Sequence, residues 1–247
     1  MAGKVTIVDY GVGNLRSVAR AFEYVGADVE VTSDAQKIIQ AERLVLPGVG
    51  AFGHCMQELQ KRQLIEAILQ FAESGRPFLG ICVGMQIMLS IGEEFGEHKG
   101  LGLIAGRVQN LSLRKNWIAT SSTTPRNDDK IILPVIGWMN LKKTRDWQGT
   151  IFNNITEGSS VYFVHSFAAK PDDVTLQLAL YEYDGMNITA AVSKNNLTGL
   201  QFHPEKSGLV GINMLKGWGF GIRDSGLGTL FFSLPTCGGG LGWGVIL

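Results

Sequence analysis

Cys82 lies in a stretch whose residue types and spacing suit a reactive thiol. An apolar run from Pro77 to Ile81 predicts a buried strand, and a helical apolar pattern opens at Gly84. Gly80 and Gly84 flank the cysteine at i−2 and i+2, the spacing of a nucleophile elbow with Cys in place of Ser. At such a turn the free N–H groups and positive dipole end of the helix favour the reactive thiolate. A buried structural cysteine is the alternative, because free Cys is among the most buried residue types.

A nucleophilic cysteine needs a base, and the sequence offers His203 among its four histidines. His203 follows a strand-like apolar run, and Glu205 stands two residues further on, across Pro204. Because proline limits the backbone to an extended or turn conformation, the carboxylate can fold back and orient the imidazole. Cys82, His203 and Glu205 would then form a base-activated nucleophile with an orienting carboxylate. An exposed loop histidine beside an unrelated glutamate is the alternative.

Length, charge and cysteine usage narrow the class of protein. The chain of 247 residues is long enough for one large α/β domain with a substantial core. Lys plus Arg equals Asp plus Glu at 22 each, so no overall field favours nucleic acid or an anionic membrane. The three cysteines, Cys55, Cys82 and Cys237, have no C-x-x-C spacing, which argues against a disulfide framework or zinc site. With no signal-like N-terminal segment, we expect a cytoplasmic protein.

Strands and helices alternate along the first part of the chain, which predicts an α/β fold. The expected architecture is a mostly parallel central sheet with helices on both faces and additional antiparallel strands. Asp184 and Gly185 are typical of a hairpin turn. The predicted strands are Val5–Asp9, Asp28–Thr32, Arg43–Leu46, Val161–Val164, Val174–Tyr183, Ile188–Ser193 and Leu197–His203, and the predicted early helices are Asn14–Tyr24 and Ala35–Gln40.

Two further segments lie where they could meet a substrate of Cys82. The Pro47–Gly50 segment follows the third strand at its carboxyl end, where α/β sheets place ligands, although an ordinary glycine turn is the alternative. Gln86 lies one helical turn beyond Cys82 on the same face, so its side chain could bind a substrate amide or carboxylate. The helix is expected to end at Glu93 and Glu94, where solvated side chains are the alternative for these polar residues.

Together, the Gly80–Gln86 and Gln201–Glu205 motifs are far more specific than either motif alone. The pair resembles the triad (class I) glutamine amidotransferases, and most closely the glutaminase subunit of imidazole glycerol phosphate synthase, the HisH type. The resemblance extends from about Lys4 to Lys216 and implies a flavodoxin-like α/β fold. Five further stretches resemble that subunit in the same order: Val8–Leu15, Leu46–Phe52, Lys99–Leu103, Ile136–Trp138 with Asn140, and Tyr162–Phe167.

The resemblance implies roles for five residues outside the triad of Cys82, His203 and Glu205. The backbone amide of Val49 or Gly50 would stabilise the tetrahedral intermediate, a contribution of about 3–4 kcal/mol to the barrier. Glu94 would receive the ammonium group of glutamine, and Ser166 and Phe167 would line the glutamine pocket through backbone contacts. No metal or cofactor is implied.

The resemblance also implies a partner, a (β/α)8 cyclase or synthase subunit that forms a heterodimer and receives the ammonia. Asn14, Trp138 and Lys206 would lie at that interface. This chain has Val135–Asn140 where the family usually carries His-Met/Ile-Gly-Trp-Asn, and this departure leaves the identity of the partner open. His165 is an alternative base, but a hydrogen-bonded histidine buried at a strand end is the more common arrangement.

Three alternatives remain at this stage: a related glutaminase serving a surface-polysaccharide synthase, a Cys hydrolase or peptidase of related fold, and a non-catalytic binding subunit. The predicted domain covers residues 1–216, and residues 116–130 are predicted to form a surface loop. Residues 217–247 form a glycine-rich tail without charge from Ser225 onward, so we expect a flexible segment or a reading-frame artefact.

Overall fold

The structure is a computed structural model, and it describes residues 3–113 and 131–220. The helices are α1 (Leu15–Tyr24), α2 (Ala35–Gln40), α3 (Phe52–Lys61), α4 (Ile65–Glu73), α5 (Val83–Gln86) and α6 (Gly208–Phe220). The strands are β1 (Lys4–Val8), β2 (Asp28–Thr32), β3 (Leu44–Gly48), β4 (Phe78–Cys82), β5 (Leu89–Gly92), β6 (His98–Lys99), β7 (Ile104–Asn110), β8 (Val135–Asn140), β9 (Lys142–Lys143), β10 (Ser160–His165), β11 (Phe167–Pro171), β12 (Gln177–Tyr183), β13 (Met186–Lys194) and β14 (Leu197–Leu200).

The largest sheet of the described residues has the strand order β2-β1-β3-β4-β14-β13-β12-β9. Its first five strands are parallel, and β13, β12 and β9 continue it antiparallel. The chain steps from β1 to β2 in one direction and from β2 through β3 to β4 in the other. Because such crossovers are right-handed, α1 covers one face and α2 to α4 the other. The contacts of α1 with α6 and of α2 with α4 agree with this placement of the helices on the two faces. The predicted α/β fold is confirmed.

The central strands are apolar along their whole length because both faces of the sheet are covered. Every residue of β3 and of β4 is buried, a pattern typical of strands inside a parallel sheet rather than at a solvated surface. The hairpin between β12 and β13 turns at Asp184 (φ 52°) and Gly185 (φ 73°), as a two-residue turn with two positive φ angles requires. Two smaller sheets, β11-β7-β5-β6 and β10-β8, lie outside the central one.

The prediction of a helix that reaches Glu93 and Glu94 is wrong, because α5 ends at Gln86 and β5 occupies Leu89–Gly92. The residues from Ile87 to Leu89 are all fully buried, so their apolar character does not distinguish a helix from a strand. Pairing with β7 and β6, which no local pattern encodes, makes the segment a strand. Val174 likewise begins a 3₁₀ turn, Val174–Leu176, rather than β12, and β14 ends at Leu200 instead of His203.

The predicted domain boundary at residue 216 falls inside α6, which continues to Phe220. Trp218 packs against Phe22 of α1, with ring centroids 5.7 Å apart, and its carbonyl accepts a hydrogen bond from Arg43 Nε at 3.3 Å. The predicted loop at 116–130 and the predicted tail from residue 221 onward lie outside the described residues. Within residues 3–113 and 131–220, no helix combines the length and the apolar character needed to span a bilayer.

Candidate active site

Three parallel strands end side by side and bring the candidate catalytic residues to one edge of the central sheet. Gly48 at the end of β3 is paired with Cys82 at the end of β4. On the other side of β4, Leu200 of β14 is paired with Ile81, so the chain leaves β14 beside Cys82 and reaches His203 shortly afterwards. Strand pairing therefore closes the sequence separation between Cys82 and His203.

Cys82 occupies a strained turn between β4 and α5. Its φ of 55° and ψ of −115° are unusual for a residue other than glycine, and such a conformation costs about 1–3 kcal/mol. A Cβ at Gly84 would lie 1.8 Å from the Leu46 carbonyl oxygen, and a Cβ at Gly80 would lie 2.6 Å from Met88 Sδ. Both flanking glycines are thus required by close packing across the elbow, which explains the spacing seen in the sequence.

The His203 ring is held by Glu205 and lines the same cavity as Cys82. Its Nδ1 lies 2.8 Å from Glu205 Oε1, which leaves Nε2 for proton exchange with the Cys82 thiol. Burial alone lowers the pKa of His203, but the hydrogen bonds to Cys82 and Glu205 outweigh it and raise the pKa to about 10. The ring is therefore held as an imidazolium beside the sulfur, an arrangement that suits a thiolate nucleophile.

The loop carrying His203 is fixed to β10. The His203 backbone N–H donates to the Tyr162 carbonyl at 3.0 Å. Ser207 Oγ donates to the His203 carbonyl at 2.6 Å and accepts from the Tyr162 backbone N–H at 3.0 Å. Two of these hydrogen bonds connect the loop to β10 and the third lies within the loop, so the position of the imidazole depends on β10 as well as on β14.

His165 does not have the environment of a base. Its Nδ1 donates to the Phe167 carbonyl at 2.9 Å, and its Nε2 accepts from the Tyr181 hydroxyl at 2.9 Å. Burial lowers the pKa of His165 to about 4, so the ring is neutral and both nitrogens are engaged. The structure places it as the sequence analysis favoured, as a buried and hydrogen-bonded histidine at the end of a strand.

The Pro47–Gly50 turn is held by side chains from two other elements. The Tyr10 hydroxyl donates to the Pro47 carbonyl at 2.8 Å, and Cys55 Sγ donates to the Val49 carbonyl at 3.5 Å. Because C=O and N–H point in opposite directions across a trans peptide, the Gly50 N–H points away from Cys55. Gly50 has a φ of +83°, and no atom lies near the position of a Cβ. Glycine is therefore favoured there because it tolerates a positive φ, and not because space is short.

A cavity of about 440 Å³ opens above Cys82 and His203. A larger groove of about 530 Å³ between α3, α4 and β6 borders no residue of the predicted triad. All six residues predicted to bind substrate or to form the oxyanion site line the smaller cavity. The lining consists of Val49, Gly50, Ala51, Cys82, Val83, Gln86, Glu94, Phe95, Pro134, Val164, His165, Ser166, Phe167 and His203.

The two carboxylates that follow β5 have different environments. Glu94 lines the cavity, and its Oε2 accepts from the Phe52 backbone N–H at 2.9 Å, which leaves Oε1 for a ligand. Glu93 instead pairs with Arg107 at 2.9 Å and does not line the cavity. Only Glu94 of this pair therefore reaches the cavity.

Gln86 is buried, and both N–H groups of its amide are used within the protein. Its Nε2 donates to the Phe167 carbonyl at 2.8 Å and to Gln201 Oε1 at 3.0 Å. Gln201, which the sequence analysis did not single out, is fully buried with its Nε2 3.9 Å from Cys82 Sγ. The available signal was an amide side chain at the end of an apolar strand, two residues before the predicted base.

The residues predicted to contact a partner lie on an adjoining surface. Trp138 is 54% exposed and packs edge-on against Tyr162, with centroids 6.1 Å apart. Lys206 Nζ lies 6.0 Å from the centroid of the same Tyr162 ring. Asn14 caps α1 by accepting from the Ser17 N–H at 3.4 Å, and α1 contacts the Pro204–Lys206 turn. All three predicted residues therefore adjoin elements next to the His203 loop.

Within residues 3–113 and 131–220, no group of three or more His, Cys, Asp or Glu side chains could hold a metal ion. The cavity instead combines a thiol, an imidazole held by a carboxylate, and backbone amides.

This chain belongs to the class I glutamine amidotransferase family, whose profile matches residues 6–216. Over 215 residues it is 51% identical to the imidazole glycerol phosphate synthase subunit HisH 1 of Legionella pneumophila (strain Lens), covering 86% of this chain and 96% of that protein. It is 43% identical over 215 residues to the subunit HisH of Syntrophotalea carbinolica, covering 87% and 98% of the two chains. The structure of PurLQS from Thermotoga maritima matches the fold with a TM-score of 0.63 at 22% identity, over 88% and 96% of the two chains.

Proposed function

We propose that this chain is the glutaminase subunit of an imidazole glycerol phosphate synthase, which hydrolyses glutamine and supplies ammonia to a synthase subunit in histidine biosynthesis. The observation that carries the proposal is that Cys82 and His203 line one cavity, with the His203 ring hydrogen-bonded to Glu205. The relatives support the pathway, because proteins 43–51% identical to this chain are named as HisH subunits.

In the proposed reaction the Cys82 thiolate attacks the side-chain carboxamide carbon of glutamine. The His203 imidazolium gives its proton to the departing nitrogen, so ammonia leaves and a thioester forms between Cys82 and the glutamyl group. His203, now neutral, accepts a proton from a water molecule that attacks the thioester and releases glutamate. Glu205 orients the ring throughout. The Gly50 or Val49 amide stabilises the oxyanion at both tetrahedral stages.

Glutamine recognition follows from the atoms that the protein leaves unused. Glu94 offers Oε1 to the substrate ammonium group. Both N–H groups of Gln86 donate hydrogen bonds within the protein, so its amide oxygen is the group left for the substrate. An oxygen suits an N–H donor of the substrate rather than the substrate carboxylate. The carbonyls of Ser166 and Phe167 accept hydrogen bonds from Leu111 and Gln86, so these residues contribute backbone N–H groups, which suit the substrate carboxylate.

The partner is a (β/α)8 synthase subunit that binds over the exposed surface around Tyr162. Trp138, Ile136 and Leu209 are 54%, 58% and 76% exposed there, and such apolar side chains next to Lys206 suit a protein interface. Because Ser207 and Tyr162 connect this surface to His203, the heterodimer would fix the catalytic loop. Both described cysteines, Cys55 and Cys82, are free thiols, in keeping with a cytosolic enzyme.

The test is a glutaminase assay with and without the histidine-pathway synthase subunit, on wild type and on Cys82→Ala. We expect glutamate release to need the partner and to fall at least about a thousandfold in Cys82→Ala. Cys237→Ala, outside the residues matched by the family, is the matched control and should retain full activity.

Activity that survives in Cys82→Ala would refute the nucleophile assignment. Full stimulation by a surface-sugar synthase, but not by the histidine-pathway subunit, would refute the proposed pathway. Hydrolysis of peptides in place of glutamine would support the Cys hydrolase alternative.

A further inference from the structure

We propose that Gln201 is a further catalytic residue, whose amide N–H holds the Cys82 sulfur as a thiolate, and that Gln86 sets the orientation of this amide. The inference rests on the proposed function, because it concerns the nucleophile of the same site. Gln201 follows β14 directly, and its backbone N–H donates to the Ala190 carbonyl at 2.8 Å. The side chain is completely buried, and its Nε2 lies 3.9 Å from Cys82 Sγ.

The direction of the Gln201 amide is determined by a chain of hydrogen bonds that starts at a backbone carbonyl. The Phe167 carbonyl can only accept, so the group of Gln86 that faces it at 2.8 Å is the nitrogen, Nε2. The same nitrogen faces Gln201 at 3.0 Å, so the Gln201 group there is the oxygen. The nitrogen of Gln201 is then the group directed at the sulfur. Turning the amide over would place two N–H groups against each other in a buried site.

A donor from Gln201 supplies what α5 cannot. The sequence pattern predicts that the dipole of the helix after Cys82 favours the thiolate, but α5 has only four residues. A helix of one turn sums few peptide dipoles, so its contribution is small. Among the described residues, the His203 imidazolium and the Gln201 amide are groups that favour a negative sulfur. A hydrogen bond to the charged form favours that form, most strongly where water is excluded.

Two variants test this role without relying on turnover. Gln201→Met keeps an unbranched side chain of similar length but removes the donor, and Gln201→Glu is nearly isosteric but replaces the donor with a carboxylate. The measurement is the rate of alkylation of Cys82 by iodoacetamide as a function of pH, quantified by peptide mass spectrometry. Gln60→Met, on an exposed position of α3, is the matched control.

We expect the pH of half-maximal alkylation of Cys82 to rise by about one unit in Gln201→Met, and by more in Gln201→Glu. Gln86→Met, which leaves Gln201 in place but frees its orientation, should shift this pH in the same direction by less. Gln60→Met should leave the profile unchanged. Cys55 is fully buried, so its protection from alkylation reports in each sample that the variant is folded.

An unchanged pH profile in Gln201→Met and Gln201→Glu, with Cys55 protected, would overturn the role of Gln201 while leaving Cys82 as the nucleophile. A loss of alkylation that is equal at every pH would also overturn it, because that result indicates a structural role alone. If Cys82 of wild type is alkylated no faster than Cys55, the failure lies with the proposed function instead.

Discussion

Removing the Ser207 hydroxyl should weaken both the fold and the catalytic loop, because this group joins β10 to the segment that carries His203. In Ser207→Ala the Tyr162 N–H loses its acceptor at 3.0 Å, and the His203 carbonyl loses a donor at 2.6 Å. Ser207 is buried, so water does not readily replace the hydroxyl. The His203 carbonyl keeps the Lys206 N–H at 3.0 Å, but the Tyr162 N–H is left unpaired, which costs about 1–3 kcal/mol, so the free energy of unfolding should fall by about 2 kcal/mol.

For a domain of this size, a loss of 2 kcal/mol corresponds to a decrease of about 4–8 °C in the melting temperature. The assay is thermal unfolding of the isolated chain, together with glutaminase turnover in the presence of the synthase subunit. We expect kcat to fall more than the KM for glutamine changes, because the imidazole loses a backbone anchor while the groups assigned to substrate binding remain. Ser112→Ala, at an exposed position, is the matched control and should change stability by less than about 0.5 kcal/mol.

A melting temperature and a kcat equal to those of wild type in Ser207→Ala would refute this reasoning. Such a result would mean that the Pro204–Lys206 turn holds His203 in place without its connection to β10. A stability loss with unchanged kcat would separate the two effects and leave the hydroxyl with a structural role only.

Three further predictions follow from the elbow, the imidazole and the exposed surface. Gly84→Ala places a Cβ 1.8 Å from the Leu46 carbonyl oxygen, so it should lower the free energy of unfolding by at least about 1–3 kcal/mol and abolish glutaminase activity. Gly217→Ala, in open space within α6, is the control and should be neutral or stabilising. Denaturant unfolding measures both variants. Burial lowers the pKa of His203, but Cys82 and Glu205 together raise it from 6.5 to about 10. Protonation of His203 therefore stabilises the folded state fully below pH 6.5, and this contribution to stability is lost as the pH rises towards 10. Cys82→Ala should lower the pKa of His203 in an NMR titration and move this loss to lower pH; an unchanged titration would contradict the contact. Trp138→Ala should leave thermal stability within about 0.5 kcal/mol of wild type but weaken synthase binding by about 30-fold or more in a calorimetric titration. Tyr24, an aromatic residue that is 73% exposed, is the control, and Tyr24→Ala should bind normally.

The family, the fold class and the elbow at Cys82 were accessible from sequence because each has a local signature. Close packing at the elbow leaves no room for a side chain at Gly80 or Gly84, so the spacing around Cys82 is visible without coordinates. The buried central strands are uninterrupted apolar runs in the sequence. Asp184 and Gly185 indicate the hairpin turn because both positions have positive φ angles, which these residue types tolerate. These features depend on near neighbours in the chain.

The features that sequence did not predict depend on long-range pairing. The segment after Met88 becomes a strand only because β7 lies beside it, and it therefore delivers Glu94 to the cavity from a strand end instead of a helix end. Glu94 is then held by the N–H of Phe52, a residue 42 positions away. The link from Gln201 to Cys82 spans 119 positions and joins two groups whose residue types, taken singly, suggest no shared role.

The register of β14 against β4 decides whether the site exists. Leu200 is paired with Ile81, so Gln201 stands next to Cys82 and its side chain leaves the sheet on the same face as the thiol. Slipping β14 by one residue would turn Gln201 to the opposite face and carry the His203 loop away from its bonds to Tyr162. Gly199 opposes a slip, because a Cβ there would lie 2.3 Å from Met85 Cγ, so a bulkier neighbour brought to this position would clash with α5. The small residue that lets α5 lie against β14 therefore also sets the distance between the thiol and its base.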